Sequence, residues 1–164
     1  MSQTTDNLKT AFAGESQANR KYLAFAKAAE KDGLKGVARL FKAAAEAETV
    51  HAHAHLRALG GIGSTADNLK AALAGETYEY ESMYPPMIET AKAEGDKKAE
   101  RTFTYANEVE KVHAELFRKA LAAMDQYPEM DFYICPLCGY TVEKEPPDQC
   151  PVCKAKKDSF YRVD

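Results

Sequence analysis

Glu48-Thr49-Val50-His51 recurs as Glu110-Lys111-Val112-His113. Residues three apart on a helix are neighbours, so each copy puts a carboxylate and an imidazole on one face, in position to grip one ion. A glutamate one element upstream accompanies each copy, Glu15 for the first and Glu76 for the second. Both sit in a near-identical run: Asp6-Asn7-Leu8-Lys9-Thr10-Ala11-Phe12-Ala13-Gly14-Glu15 reappears as Asp67-Asn68-Leu69-Lys70-Ala71-Ala72-Leu73-Ala74-Gly75-Glu76, with eight of ten residues unchanged. The chain has doubled a helix pair, and each pair carries an acid, a second acid and a histidine. Further on, Cys135-Pro136-Leu137-Cys138 and Cys150-Pro151-Val152-Cys153 present a second kind of metal donor.

These donors need elements to hold them. All four cysteines of the 164 residues lie after residue 134, while the preceding stretch is rich in Ala, Glu, Lys and Leu, the composition of long helices. The reading is an all-α body over 1–126, a linker over 127–131 and a small thiol-bearing domain over 132–164. The first helix is expected from Thr5 to Lys31, stopping at Gly33, with Leu8, Phe12, Glu15, Asn19, Tyr22 and Ala26 along one face. The second, from Lys35 to Leu59, ends at Gly60-Gly61 and aligns Val37, Phe41, Ala44, Glu48, His51 and His55. The third begins after an N-cap at Thr65 or Asp67 and aligns Leu69, Leu73, Glu76, Tyr80, Met83 and Met87, with Glu79 beside them. Pro85-Pro86 must kink or interrupt it, since each removes a backbone donor. The fourth starts near Asp96 and lines up Phe103, Ala106, Glu110, His113, Phe117, Ala120 and Met124. Four helices with acids on their inner stripes predict a bundle with a polar centre.

A formal net charge of -3 and a pI near 5.9 argue against a general nucleic-acid or anionic-membrane binder. No charged start leads into an apolar run and no long apolar segment occurs, so neither a secretion signal nor a membrane span is expected, and the expected location is the cytoplasm. In that reducing compartment two Cys-x-x-Cys pairs read as a metal site rather than as disulfides.

Glu15, Glu48, Glu76, Glu79 and Glu110 are five carboxylates in one expected interior, with no Lys or Arg on the same stripes. Unpaired, their burial is prohibitive, whereas two divalent ions bring the cluster near neutrality. Oxygen with some imidazole suits iron or manganese. One Glu from each of two helices plus Glu-x-x-His from the other two is the di-iron carboxylate arrangement of ferritin-like bundles. A single Glu-x-x-His in an Ala-rich helix is commonly a solvated accident, but two copies in a repeated frame are not. His53, Glu46 and Glu108 fall off the spacing and read as solvated, and His55 as a packed or surface histidine. Glu79 breaks the repeat, since its counterpart is Ala18. An extra carboxylate on one side would let one metal exchange Glu79 for His51 as its charge changes.

With Ala-Phe-Ala-Gly-Glu-Ser-Gln-Ala at 11–18, both Glu-x-x-His motifs, Gly75-Glu76-x-x-Glu79, Met83-Tyr84-Pro85 and the tail cysteines, the chain resembles the rubrerythrins over nearly its whole length. The resemblance implies a ferritin-like four-helix bundle with a C-terminal rubredoxin-like domain. It implies two non-haem irons on Glu15, Glu48, Glu76, Glu79, Glu110 and His113, with His51 a redox-dependent ligand to the mobile iron. Tyr22 and Tyr84 fall on tyrosines that hydrogen-bond the ligating carboxylates, though either alone reads as plain core packing. Cys135, Cys138, Cys150 and Cys153 correspond to the rubredoxin-type iron site. By spacing alone a zinc ribbon fits as well, and the adjoining redox-active bundle favours iron. Gly139 would permit the tight turn that aims N–H groups at sulfur. Tyr133, Tyr140 and Phe160 read as the tail's small core, and Lys154, Lys156 and Lys157 as a solvated charge run.

The link from helix two to helix three, Gly60 to Ala66, is seven residues. In a ferritin-like bundle it must climb from one end to the other. Leu59 lies about 12 Å below His51 and Asp67 about 13 Å above Glu76 by helical rise, while seven extended residues reach roughly 25 Å. Nothing is left for crossing sideways, so the expected assembly is a domain-swapped homodimer in which helices one and two of one chain pack with helices three and four of the other. The resemblance implies an NADH-linked peroxidase that reduces hydrogen peroxide to water, a role in oxidative-stress defence. Rubredoxin or a reductase would be the electron donor, and the tail donor would face the partner subunit's di-iron site. The rival readings are a ferroxidase or oxygen-reducing protein, and an iron-binding scaffold with a structural zinc ribbon.

Overall fold

The computed structural model describes residues 2–163. The chain divides into two compact units, Met1–Gly63 and Ser64–Asp164.

The first unit is a helical hairpin of α1 (Gln3–Lys31) and α2 (Lys35–Ala58). Ser2 caps α1 by accepting from the Thr5 N–H, so the helix starts two residues earlier than its hydrophobic stripe requires. Gly33, at φ +77°, closes it: the Leu34 N–H returns to the Ala29 carbonyl at 2.8 Å, a bond that needs a left-handed residue at the turn. The helices meet through small residues. Ala26, Ala29, Ala38, Ala45 and Ala52 are buried, which lets the backbones approach closely. Among them lies Asn19, whose Nδ2 donates to the Ala45 carbonyl at 2.7 Å and to Thr49 Oγ1 at 2.8 Å. Tyr22, Phe25 and Phe41 form an aromatic cluster nearer the turn, with centroids 5.5 to 6.4 Å apart.

The second unit begins with α3 (Thr65–Tyr78), capped by Ser64, not by Thr65 or Asp67 as expected. Ser64 Oγ accepts from the Asp67 N–H at 3.2 Å and donates to the Asp67 carboxylate at 2.6 Å, so Asp67 closes the cap instead of forming it. The expected break at Pro85-Pro86 takes the form of one π-helical turn, Glu79–Met83, followed by α4 (Tyr84–Glu94) with the prolines in its first turn. There the missing N–H groups would be unsatisfied anyway. Gly95, at φ +73°, ends α4, and Asp96 caps α5 (Lys97–Ala123) by accepting from the Lys98 and Ala99 N–H groups.

After a short turn at Met124–Gln126 the tail folds as a three-stranded antiparallel sheet, β1 (Phe132–Ile134) between β2 (Thr141–Glu143) and β3 (Tyr161–Arg162). Tyr140 and Phe160 pack edge to face at 6.4 Å, and Tyr133 is half-buried. The tail's fully buried residues are Cys135 and Cys150, so it is built around its thiols. It also rests on α5: Lys119 pairs with Glu143 at 3.3 Å, and the Tyr127 hydroxyl donates to the same carboxylate at 3.2 Å.

Candidate metal centres

In the hairpin, the Glu-x-x-His spacing on α2 brings Glu48 Oε2 within 2.9 Å of His51 Nδ1. Glu15 joins them from α1, and the ligand atoms of all three lie within 4.8 Å of one another. Asn19, one turn beyond Glu15, bonds α2 beside Glu48 and so fixes the register that creates the triad. Glu48 is largely covered, with 18% of its side chain exposed, whereas His51 is 56% exposed.

The repeat builds the same triad in the second unit. Glu110 Oε2 lies 2.8 Å from His113 Nδ1, and Glu76 Oε2, from α3, lies 3.5 Å from it. These three also fall within 4.8 Å of one another. Burial pushes the Glu76 carboxyl above its ordinary range; His113 opposes the shift and Glu110 adds to it. Burial raises Glu79 too, with Glu110 adding and His113 opposing. Glu79 therefore feels this triad from the π turn without joining its close cluster. The hydrogen bond to Glu110 holds the His113 imidazolium above its ordinary range against desolvation.

Tyr84 packs against Phe103 at 6.3 Å. Burial raises its phenol, and Glu110, Glu79 and Glu76 add to the effect. Tyr22 belongs to the aromatic cluster of the hairpin. Among the described residues neither hydroxyl bonds a triad carboxylate. His53 is exposed and His55 half-buried, and neither joins a triad. Glu46 is exposed, and Glu108 is exposed and paired with Lys111 at 2.5 Å.

The tail gathers four free thiols within 4.8 Å. Cys135 and Cys153 sulfurs are 3.4 Å apart and those of Cys138 and Cys150 3.6 Å. A disulfide would need about 2.05 Å. A tetrahedral ion with bonds near 2.3 Å puts its ligands about 3.8 Å apart. Two matching turns aim them. The Gly139 N–H returns to the Cys135 carbonyl at 2.9 Å and the Lys154 N–H to the Cys150 carbonyl at 3.0 Å, with φ of +85° and +66°. Burial raises the Cys138 and Cys153 thiols, opposed by the N–H groups of Tyr140 and Ala155. At Cys150 burial acts the same way, but the N–H groups of Cys153 and Val152 together with the Cys153 and Cys138 thiols hold the thiol below its ordinary range. Oriented donors at sulfur are what a bound thiolate requires.

The donors fit two kinds of metal. Each triad offers two carboxylates and an imidazole, a set suited to iron, and the tail offers four convergent sulfurs. Two residues at these sites escaped the sequence reading. Thr141 Oγ1 lies 2.9 Å from His113 Nε2 and donates to the Gly139 carbonyl at 3.1 Å. No local pattern marks a contact across 28 residues. Lys154 takes the place that Gly139 holds in the other turn, and aligning Cys-Pro-x-Cys-Gly with Cys-Pro-x-Cys-Lys would have exposed it.

Comparison with known proteins agrees with this chemistry. Residues 6–121 match the family model described as rubrerythrin, and residues 133–161 that of the rubrerythrin rubredoxin-like domain. Rubrerythrin-2 of Clostridium acetobutylicum is 41% identical over 96% of this chain and 95% of its own length. Nigerythrin of Nitratidesulfovibrio vulgaris is 38% identical over 96% of this chain and 85% of its own. The solved structure of nigerythrin in its fully reduced, all-ferrous state aligns over 99% of this chain and 88% of that one, with a TM-score of 0.61 at 37% identity. The two metal chemistries thus come with a ferritin-like helical body and a rubredoxin-like tail of four cysteines, and the chain belongs to the rubrerythrin family.

Proposed function

We propose that this chain is a non-haem di-iron peroxidase that reduces hydrogen peroxide to water. Its metal ligands would be Glu15, Glu48, His51, Glu76, Glu79, Glu110 and His113 in the body and Cys135, Cys138, Cys150 and Cys153 in the tail. Iron held by the body ligands would supply the two electrons that reduction of peroxide to two waters requires, with two protons taken up, and iron held by Cys135, Cys138, Cys150 and Cys153 would supply one-electron chemistry to restore them. The carboxylates neutralise the ions. Burial raises the Glu76 and Glu79 carboxyls above their ordinary range in the metal-free protein, so each would take up a proton more readily than an exposed acid whenever a metal releases it. Burial and then the surrounding acids keep the Tyr84 phenol protonated, so it can serve as a hydrogen-bond donor. Tyr22 and Tyr84 have hydroxyls free to meet carboxylates of the complementary triad. An apolar cavity of about 400 Å³ lined by Leu69, Phe117, Tyr127 and Thr141 reaches Glu76 and His113, room for a small uncharged substrate.

The observation that carries this reading is the tail's seat on the His113 triad of its own chain, through the Thr141 hydroxyl. A ferroxidase draws electrons from its own ferrous substrate and has no use for such a site. Electrons would start from NADH and arrive through a rubredoxin or a reductase, in the cytoplasm, where thiols stay reduced. Among the described residues no helix is long and apolar enough to cross a membrane.

A dinuclear centre would need both triads, and the reach of seven extended residues, roughly 25 Å, supports assembling them from two chains. The working form would be the domain-swapped homodimer, with residues 1–126 building the body and 132–164 the electron-carrying domain. Each hairpin would meet the partner's second unit, and the tail, expected from the resemblance to face the partner's site, would instead serve the His113 triad that it touches in its own chain. Leu40 and Val50, 69% and 63% exposed on α2, are apolar surface for that contact.

The test is to reduce the protein without air, add stoichiometric peroxide and follow the visible band of the tail iron by stopped flow. Fast return of the band, much faster than with oxygen, is expected; slow return, or zinc in the tail, would refute the peroxidase. Light scattering of the metallated protein should report a dimer, and a folded, fully metallated monomer would refute the swap.

A further inference from the structure

The two triads are alike in sequence and unlike in support. His51 is held at one nitrogen, with Glu48 at Nδ1 and, among the described residues, no partner at Nε2. His113 is held at both, with Glu110 at Nδ1 and Thr141 at Nε2. The Thr141 hydroxyl spends its proton on the Gly139 carbonyl, so toward His113 its oxygen can only accept. Nε2 must then carry a proton of its own, so Nδ1, which in the metal-free protein donates to Glu110 at 2.8 Å, is the nitrogen that can give up its proton and face a metal. Gly139 is itself pinned, since its N–H bonds the Cys135 carbonyl in the first thiol turn.

We propose that Thr141 is a positioning residue for the bundle centre: it locks His113 in the tautomer that presents Nδ1 to metal and ties that ring to the Cys135–Cys138 turn. One triad is thereby rigid and dependent on an intact tail, while the other keeps a histidine free to leave. A partner that fixes a ligating imidazole in this way typically sets metal affinity by about 10- to 100-fold. The inference rests on His113 being a ligand through Nδ1, as the proposed function requires.

The test uses the full chain loaded with zinc, which is diamagnetic. Imidazole 15N spectra of the parent should show His113 protonated at Nε2, with that proton slow to exchange. Thr141→Val keeps the shape and β-branch that β2 prefers while removing the hydroxyl. It should speed exchange of that proton and weaken zinc binding in the body by about tenfold or more. Thr141→Ser should restore both. Cobalt bound at the four cysteines of each variant reports whether the tail is intact. A parent spectrum with the proton on Nδ1 overturns the proposal whatever the variants do. So does Thr141→Val with an intact tail and unchanged zinc affinity, or a Thr141→Ser that behaves like the valine variant. A parent that binds zinc only in its tail overturns the metal-centre reading itself, a separate result.

Discussion

Replacing Asn19 with alanine tests whether the register of the hairpin assembles the first triad. Asn19 is 6% exposed, and its Nδ2 makes two interhelical hydrogen bonds, to the Ala45 carbonyl and Thr49 Oγ1. Its Oδ1 accepts from Arg20 Nε at 2.9 Å, so both ends of the amide are used. At about 0.5–1.5 kcal/mol net for each bond, loss of the interhelical pair costs about 1–3 kcal/mol. The upper end would need a stranded polar atom. Here the Ala45 carbonyl keeps the Thr49 hydroxyl as a donor at 3.1 Å, which sets the expectation near the middle, about 2 kcal/mol. For a chain of this size that lowers Tm by roughly 4–8 °C. Because Asn19 is one turn from Glu15 and its partner Thr49 adjoins Glu48, zinc binding to the body should also weaken. Circular dichroism melts of the metal-free protein and calorimetric zinc titration would read the two effects. Asn19→Asp is the sharper companion: it keeps the shape but turns an anionic oxygen toward the Ala45 carbonyl, so at neutral pH it should cost more than alanine. A melt of Asn19→Ala within about 1 °C of the parent would refute the register argument.

Two further outcomes follow from particular residues. Lys154 holds φ +66° in the second thiol turn, where an L side chain is strained by about 1–2 kcal/mol. Lys154→Gly should relieve much of that and slow metal loss from the tail to a chelator; faster loss would mean that the Lys154 Nζ contact to the Pro151 carbonyl matters more than the strain. In the metal-free protein Glu76, Glu79 and His113 all have folded pKa values raised above their ordinary 4.5, 4.5 and 6.5. Each therefore contributes stability that is full below the ordinary value and lost as pH rises through the raised one. The urea midpoint without metal should fall as pH rises above the ordinary 4.5 of the two acids and again above the ordinary 6.5 of His113, and Glu79→Gln should flatten the slope; a midpoint that rises with pH would contradict the sign.

Much of the architecture was legible because it is periodic. The repeat announced two equivalent triads, helical spacing put acid and imidazole on one face, and Cys-Pro-x-Cys announced both thiol turns. What escaped is local geometry that competes with such patterns. Ser64 caps α3 because it reaches the Asp67 N–H from outside the helix, whereas Thr65 and Asp67 were nearer the expected start. The prolines indicated a break, but not that a π turn would absorb it and leave Glu79 looking toward the second triad from a distance. The Thr141 contact lies outside any periodicity, since it depends on how the tail leans on α5.

That lean bears on why a doubled helix pair should have an unequal centre. Nothing in the two Glu-x-x-His motifs distinguishes His51 from His113. The difference comes from what each half acquired around its motif. The second half has a tail that supplies a hydroxyl to its histidine and an added acid, Glu79, on the π turn. The first half has neither, and its histidine is left 56% exposed. If an ion binds with His51, as proposed, it would give up little by exchanging that ligand. An ion bound with His113 would have to break a hydrogen-bonded chain running to the Cys135 turn. The asymmetry thus comes from what surrounds the repeated motifs, the added acid Glu79 and the Thr141 hydroxyl, and not from the motifs themselves. Transplanting Glu79 to position 18 without the tail contact would equalise the acids and leave the histidines unequal.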